Sequence, residues 1–253
     1  MRVLFLGNNW LGWQALRWLK EQREEIAGLV LHPTQSRRYG AELSAEADAV
    51  PIFDGSRLRE PIVLESIRKL DCDIAVSVLF GYILRPDFLV LPPAGCINLH
   101  PSLLPYNRGA HPNVWSIIEG TPAGVTLHYI DPGVDTGDII AQREVAVKSI
   151  DTGETLYRRL ECASLELLKE TWPAVRAGNA PRLAQNRAAG TRHRACDVEG
   201  IDEIDLEASY KARDLINVMR ARTFSPYPGA YFCDGGRKVR LRLELAFDDE
   251  AKS

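Results

Sequence analysis

The stretch from Ile97 to Ile140, INLHPSLLPYNRGAHPNVWSIIEGTPAGVTLHYIDPGVDTGDII, carries an amide, Asn98, an imidazole, His100, and a carboxylate, Asp135. An asparagine side chain offers two N–H donors that can hold an oxygen as it gains negative charge. A histidine exchanges a proton near neutral pH, and a neighbouring carboxylate orients the ring and favours its charged form. The three together suit acyl transfer without a covalent enzyme intermediate. The GxSxG turn that presents a nucleophilic serine is absent, and Ser102 lies in a proline-bounded loop. On residue types alone a second reading stays open: a histidine at a strand end is often only a hydrogen-bonding residue, and aspartates beside glycine are common turn formers.

The elements around these residues must hold them at strand ends and on loops. RVLFLG (residues 2–7), a stretch with Trp10, Trp13, Leu16 and Leu19 at helical spacing, and IAGLVLH (residues 26–32) read as a βαβ unit, which implies a parallel sheet. The chain therefore begins like a Rossmann-type domain. The turn GNNWLG does not complete a dinucleotide fingerprint, since GxGxxG needs a glycine where Asn9 stands and no acidic residue closes the second strand. Trp10, Trp13 and Trp18 serve helix packing, or one aromatic near the turn stacks on a ligand ring. Arg37, Arg38 and Tyr39 read as part of a solvated loop, with a phosphate contact as the alternative.

A helix from Pro61, the apolar stretch from Cys72 to Leu84 read as a continuous strand that flows into a glycine turn at Gly81, a short helix near Pro86 and a strand GCINLH bring the chain to Asn98 and His100. A helix entered at Pro112 and stopped by Gly120 follows. Two close strands, residues 124–130 and 138–147, form a hairpin around DPGVDTG. A long helix from Thr152 is expected to stop at Pro173. Beyond it come an irregular linker, a helix over 209–221 and the alternating AYFCDGGRKVRLRLEL, a β-hairpin pattern around glycines. The expected fold class is α/β: a Rossmann-like, mostly parallel sheet flanked by helices, with a small C-terminal extension of a helix and a β-hairpin. Residues 1–190 form the catalytic domain in this reading, and 191–253 the extension.

A length of 253 residues fits one main core with a small appendage, and a net charge of −3 offers no electrostatic case for a nucleic-acid partner. No signal peptide opens the chain and no apolar run approaches a membrane span, so the expectation is a cytoplasmic protein with no membrane partner. Five scattered cysteines without a CxxC pair predict neither a disulfide framework nor a zinc knuckle, and the thiols are expected to be mostly buried.

INLHPSLLP followed by GVTLHYIDPGVDTGDII resembles the folate-dependent formyltransferase family, whose members share an Asn, a His in NxHPSLLP and an Asp in a DxG loop. The resemblance implies Asn98, His100 and Asp135 as the catalytic triad and N10-formyltetrahydrofolate as formyl donor, with no metal. It also implies a pterin pocket made largely of backbone groups, here Phe80, Gly81, Tyr82, Ile83 and Leu84, together with Ile130, Asp131 and the loop to Asp135.

Three acceptors occur in the family: methionyl-tRNA, glycinamide ribonucleotide and an amino sugar carried on a nucleotide. PYNRGAHPNVWSIIEGTPAGVTLHYID, DLINVMRARTFSPYPGAYF and GNNWLGW are similar to nucleotide-sugar N-formyltransferases. That similarity implies a nucleotide-linked amino sugar as acceptor, contacted by Trp10, Asn107, Arg108, His111 and Asn113; the C-terminal hairpin either covers the domain's edge or, by family analogy, makes a homodimer contact. His128, beside the site, would support His100. A folate- or nucleotide-binding sensor without turnover is the non-enzymatic alternative.

Overall fold

The computed structural model describes residues 1–46 and 49–248. Its first strand, β1 (Arg2–Gly7), is buried from Val3 onward, as continuous apolarity requires of a strand covered on both faces. α1 (Trp10–Glu21) starts where the Asn9 side chain accepts the Gly12 backbone N–H at 2.8 Å, and it buries Leu11, Ala15, Leu16 and Leu19. β2 (Glu25–Leu31) returns parallel to β1. A Cβ on Gly7 would lie 2.8 Å from the Phe5 ring and 3.6 Å from the Gly12 Cα, so these glycines serve close packing of strand on helix.

α2 (Gly40–Glu46), β3 (Ile52–Asp54), α3 (Pro61–Arg68), β4 (Ile74–Val78), α4 (Pro86–Leu89) and β5 (Cys96–His100) follow. Next come β6 (Arg108–Gly109), α5 (Pro112–Glu119), β7 (Gly124–Tyr129), β8 (Ile139–Glu144), α6 (Gly153–Arg176), β9 (Arg192–His193), α7 (Ala212–Ala221), β10 (Tyr231–Asp234) and β11 (Arg237–Arg240). The central sheet has seven strands in the order β3-β2-β1-β4-β5-β7-β8. β1 to β5 pair in parallel, and β7 runs antiparallel to β5. This is the Rossmann-like, mostly parallel sheet expected, with the hairpin at one side.

Three expectations need correction. β4 ends at Val78, short of the turn expected at Gly81, because Leu79 already takes a left-handed backbone (φ 48); Gly81 follows with the positive angle of that turn (φ 81). α6 passes through Pro173 instead of stopping there. The ring removes one N–H donor, but the Pro173 carbonyl still accepts from Ala177 at 3.1 Å, and Trp172, 2% exposed, anchors the turn with its indole N–H on the Glu24 carboxylate at 2.9 Å. Only Cys72 and Cys96 are buried; Cys162, Cys196 and Cys233 are exposed.

The chain divides into two compact units. One comprises Met1–His100, Thr126–Gln142 and Ser164–Gln185; the other comprises Pro101–Val125, Arg143–Ala163 and the residues from Asn186 onward. In the first, β1, β2 and β4 supply the core. In the second, Gly120 closes α5 in the left-handed region (φ 65), and the Arg220 guanidinium donates to the Lys148 and Asp151 carbonyls, both at 3.0 Å. β10 and β11 form the expected hairpin, turning through Gly235 (φ 54) and Gly236 (φ 77), the two positive angles that a tight two-residue turn demands. Among the described residues no helix is long and apolar enough to cross a membrane.

Gly137, in the loop between β7 and β8, has no room for a side chain: a Cβ there would sit 1.9 Å from the Tyr129 carbonyl oxygen, a backbone atom that cannot swing away. Gly137→Ala should lower stability by about 2 kcal/mol, read as a lower denaturation midpoint in urea.

Candidate active site

Side chains two apart on a strand share a face, so β5 presents Asn98 and His100 on one side of the sheet. Pairing then selects their neighbours. Ser77 on β4 and His128 on β7 are the register partners of Asn98, and Thr126 is that of His100. Ser77, Asn98 and His128 therefore form a row across three adjacent strands.

The hydrogen bonds along this row run one way. The Ser77 hydroxyl donates to Asn98 Oδ1 at 2.9 Å, Asn98 Nδ2 meets His128 Nε2 at 3.2 Å, and His128 Nδ1 meets the Tyr129 carbonyl at 2.8 Å. A carbonyl can only accept, so Nδ1 carries the His128 proton and Nε2 is left as the acceptor for the amide. Burial lowers the His128 pKa to about 4 despite the opposing pull of Asp135, which keeps this imidazole neutral. His128 thus supports Asn98 directly; its ring centroid is 6.3 Å from that of His100, edge to face.

Asp135 reaches the same place from the β7–β8 loop. Its Oδ2 lies 3.7 Å from His100 Nε2 and its Oδ1 lies 3.6 Å from His128 Nε2, so the carboxylate sits between two imidazoles. Its backbone is left-handed (φ 51), an uncommon conformation for a residue with a side chain. Neighbours hold that geometry. The Asp131 carboxylate accepts from Gly133 N at 2.9 Å and from the Thr136 hydroxyl at 2.5 Å. The Gln185 amide donates to the carbonyls of Asp135 at 3.0 Å and Gly137 at 2.7 Å.

The segment expected to form the pterin pocket is the turn after β4. Phe80 and Leu84 are buried in the core, where Ile130 packs against the same cluster, while Gly81, Tyr82 and Ile83 are exposed. His32, at the end of β2, fixes the turn: its Nε2 bonds the Phe80 carbonyl, and its ring lies edge-on to Phe80 and Tyr82 at 5.4 and 4.9 Å. The Asp131 side chain is committed to its own loop, while the exposed Tyr82 and Ile83 side chains follow the Gly81 backbone in the turn.

Of the expected acceptor contacts, Trp10 is half-buried at the start of α1. The others lie in the second unit. Asn107, wholly buried, donates to Ser116 Oγ at 2.9 Å and Thr121 Oγ1 at 2.8 Å and accepts from Thr191 Oγ1 at 2.9 Å, so its amide holds the loop from inside. Asn113 is also buried, donating to the Gly153 carbonyl at 2.8 Å. Arg108 is half-buried and His111 exposed. The loop is clamped by a later segment: β6 pairs in parallel with β9, Gly109 (φ 92) passes so close that a Cβ would be 2.2 Å from the His193 carbonyl oxygen, and the His193 ring stacks on Trp115 at 4.0 Å.

Ser77, Gln185, His32 and Thr191 are the residues that sequence reasoning missed. Ser77 carried a signal, a hydroxyl within the apolar run IAVSV, which a buried strand tolerates only with a partner. Among the described residues no group of three or more His, Cys, Asp or Glu side chains is arranged to hold a metal ion.

The neutral, buried His128 has a consequence for stability. Its folded pKa of about 4 lies below the ordinary value of 6.5, so below pH 6.5 the unfolded chain binds a proton that the folded chain refuses. The stabilisation is complete above pH 6.5 and is lost as pH falls towards 4, by on the order of 3 kcal/mol. Urea denaturation between pH 7 and 4.5 should show this loss in the wild type and a clearly flatter profile in His128→Gln.

Residues 13–171 match the formyl transferase family, and residues 197–246 match the N-formyltransferase dimerization C-terminal domain. Methionyl-tRNA formyltransferase from Geotalea daltonii is 34% identical over 257 residues, covering 97% of this chain and 80% of the relative. The crystal structure of a 4-N formyltransferase from Francisella tularensis aligns with a TM-score of 0.85 at 26% identity, over 97% of this chain and 98% of that one. The formyltransferase PseJ from Anoxybacillus kamchatkensis, solved in complex with UDP-4,6-dideoxy-4-formamido-L-AltNAc and tetrahydrofolate, is 31% identical with a TM-score of 0.57, over 85% of this chain and 94% of that one. With the family match spanning more than half its length around the Asn98, His100 and Asp135 arrangement, this chain belongs to the formyl transferase family.

Proposed function

We propose that this protein transfers a formyl group from N10-formyltetrahydrofolate to the amino group of a nucleotide-linked amino sugar. The observation that carries formyl transfer is the meeting of Asn98, His100 and Asp135, with the amide oriented by its row partners and the carboxylate within 3.7 Å of the His100 ring. In this reading a neutral amine attacks the formyl carbon, a C–N bond forms and the formyl oxygen gains negative charge. The Asn98 N–H and His100 hold that oxygen. Asp135 orients His100, and the amine proton passes through His100 or water to N10, so that tetrahydrofolate departs with the electron pair of its own C–N bond and that proton.

Backbone groups of residues 80–84 and 130–135 are assigned to the pterin. Arg108 and His111 are assigned to the acceptor, on sequence similarity, with Trp10 as the stacking aromatic and with Asn107 and Asn113 holding the segment that carries them. Catalysis is assigned to residues 1–190, and the extension over 191–253 to contact with a second copy, for which the match to a dimerization domain is the support.

The sugar acceptor draws support from PseJ, which is 31% identical to this chain and was solved with a formylated UDP-sugar. A second reading, methionyl-tRNA as acceptor, is favoured by the 34% identity to the Geotalea enzyme. The two separate in an assay of tetrahydrofolate release with UDP- and dTDP-linked 4-amino-4,6-dideoxyhexoses and with methionyl-tRNA. Turnover with at least one sugar is expected, and turnover with methionyl-tRNA alone reverses the assignment.

His100→Ala and Asp135→Ala should each lower the rate by roughly a thousandfold with an unchanged thermal midpoint. A variant that keeps the wild-type rate sinks the mechanism. Light scattering should give the mass of a dimer, and a monomer removes the role given to the extension.

A further inference from the structure

The row through β4, β5 and β7 has an uneven exposure. Ser77 is 6% exposed and His128 1% exposed, whereas Asn98 between them is only half-buried. The middle member alone faces outward, and it is the one whose orientation matters. An amide side chain can be turned about its last bond, exchanging oxygen for NH2, and with near-equal surroundings both orientations would be populated.

Two contacts remove that freedom. Towards β7, the neutral His128 offers a lone pair at Nε2, because its Nδ1 proton is committed to the Tyr129 carbonyl at 2.8 Å; an amide oxygen there would face a lone pair. Towards β4, the Ser77 hydroxyl supplies the proton that the amide oxygen needs, at 2.9 Å. A hydroxyl can also accept, so Ser77 gains its selectivity from the direction imposed at the other end of the row. With every donor pointing the same way, each bond polarises the next and makes the Asn98 N–H a stronger donor.

We propose that Ser77 is a positioning residue: its hydroxyl locks the Asn98 amide so that Nδ2 donates one hydrogen to His128 and keeps the other for the reacting oxygen. This inference rests on the formyl-transfer reading above. Ser77 touches no reacting atom and acts through Asn98, so its contribution belongs to the step in which charge develops and not to the binding of either substrate.

Ser77→Thr and Ser77→Val separate hydroxyl from packing, since the two side chains have the same shape and only threonine can donate. Both are assayed as full-length protein with N10-formyltetrahydrofolate and whichever of the UDP- or dTDP-linked 4-amino-4,6-dideoxyhexoses, or methionyl-tRNA, is turned over by the wild type. The Thr variant should keep kcat within about threefold of wild type and the Val variant should fall about tenfold below it, the scale of one lost hydrogen bond, with KM for both substrates within about twofold in each. Equal kcat for Thr and Val, or a loss confined to KM, overturns the role of Ser77. Asn98→Ala is the separate arm: a full rate in that variant defeats the formyl-transfer reading itself, as does the absence of turnover with every acceptor, whereas a collapsed rate beside equal Thr and Val variants defeats only the inference about Ser77.

Discussion

The chemistry depends on how one strand is paired. β5 runs parallel to β4 on one side and antiparallel to β7 on the other, and the two registers bring Ser77 and His128 to the same residue, Asn98. Because side chains alternate along a strand, a slip of one residue in either pairing would send a row partner to the opposite face of the sheet. Register is held by the apolar residues between the polar ones: Val76, Val78, Ile97, Leu99 and Leu127 are all buried and must point into the other layer. The same packing that makes the core therefore aims the polar face.

Charge at the site is arranged by contrast. His128 and His100 lie on the same face within reach of one carboxylate, yet burial keeps His128 neutral, where it serves as a fixed acceptor. The two rings differ in what they face: His128 Nε2 meets the Asn98 amide, and His100 Nε2 faces the Asp135 carboxylate. The cost is borne by the β7–β8 loop, where Asp135 holds a left-handed backbone and the Asp131 carboxylate and the Gln185 amide tie the turn down.

Much of this was legible in the residue order. The βαβ opening, the buried strands and the hairpin carrying DPGVDTG follow from apolar runs and turn residues, and the two motifs named the polar residues that meet. What was not legible depended on contacts between residues far apart in the chain. The end of β4 was obscured because Leu79 and Phe80 continue the apolar pattern while the backbone has already turned, and no propensity marks a leucine for positive φ. Pro173 was misread because a single missing donor is outweighed by the anchoring of Trp172. Asn107 and Asn113 read as acceptor contacts; only the structure shows their amides turned inward onto hydroxyls and a carbonyl.

The clamp in the second unit has a different kind of consequence. Asn107 and Thr191 stand 84 positions apart, yet each is the other's hydrogen-bond partner, and Gly109 is shaped to the His193 carbonyl. The segment around residues 105–111 and the one around 190–193 are thus a single heritable piece written in two places. A recombination breakpoint anywhere between them would pair a loop with a foreign clamp. Change in this part of the molecule is easier through matched double substitutions than through exchange of either stretch alone.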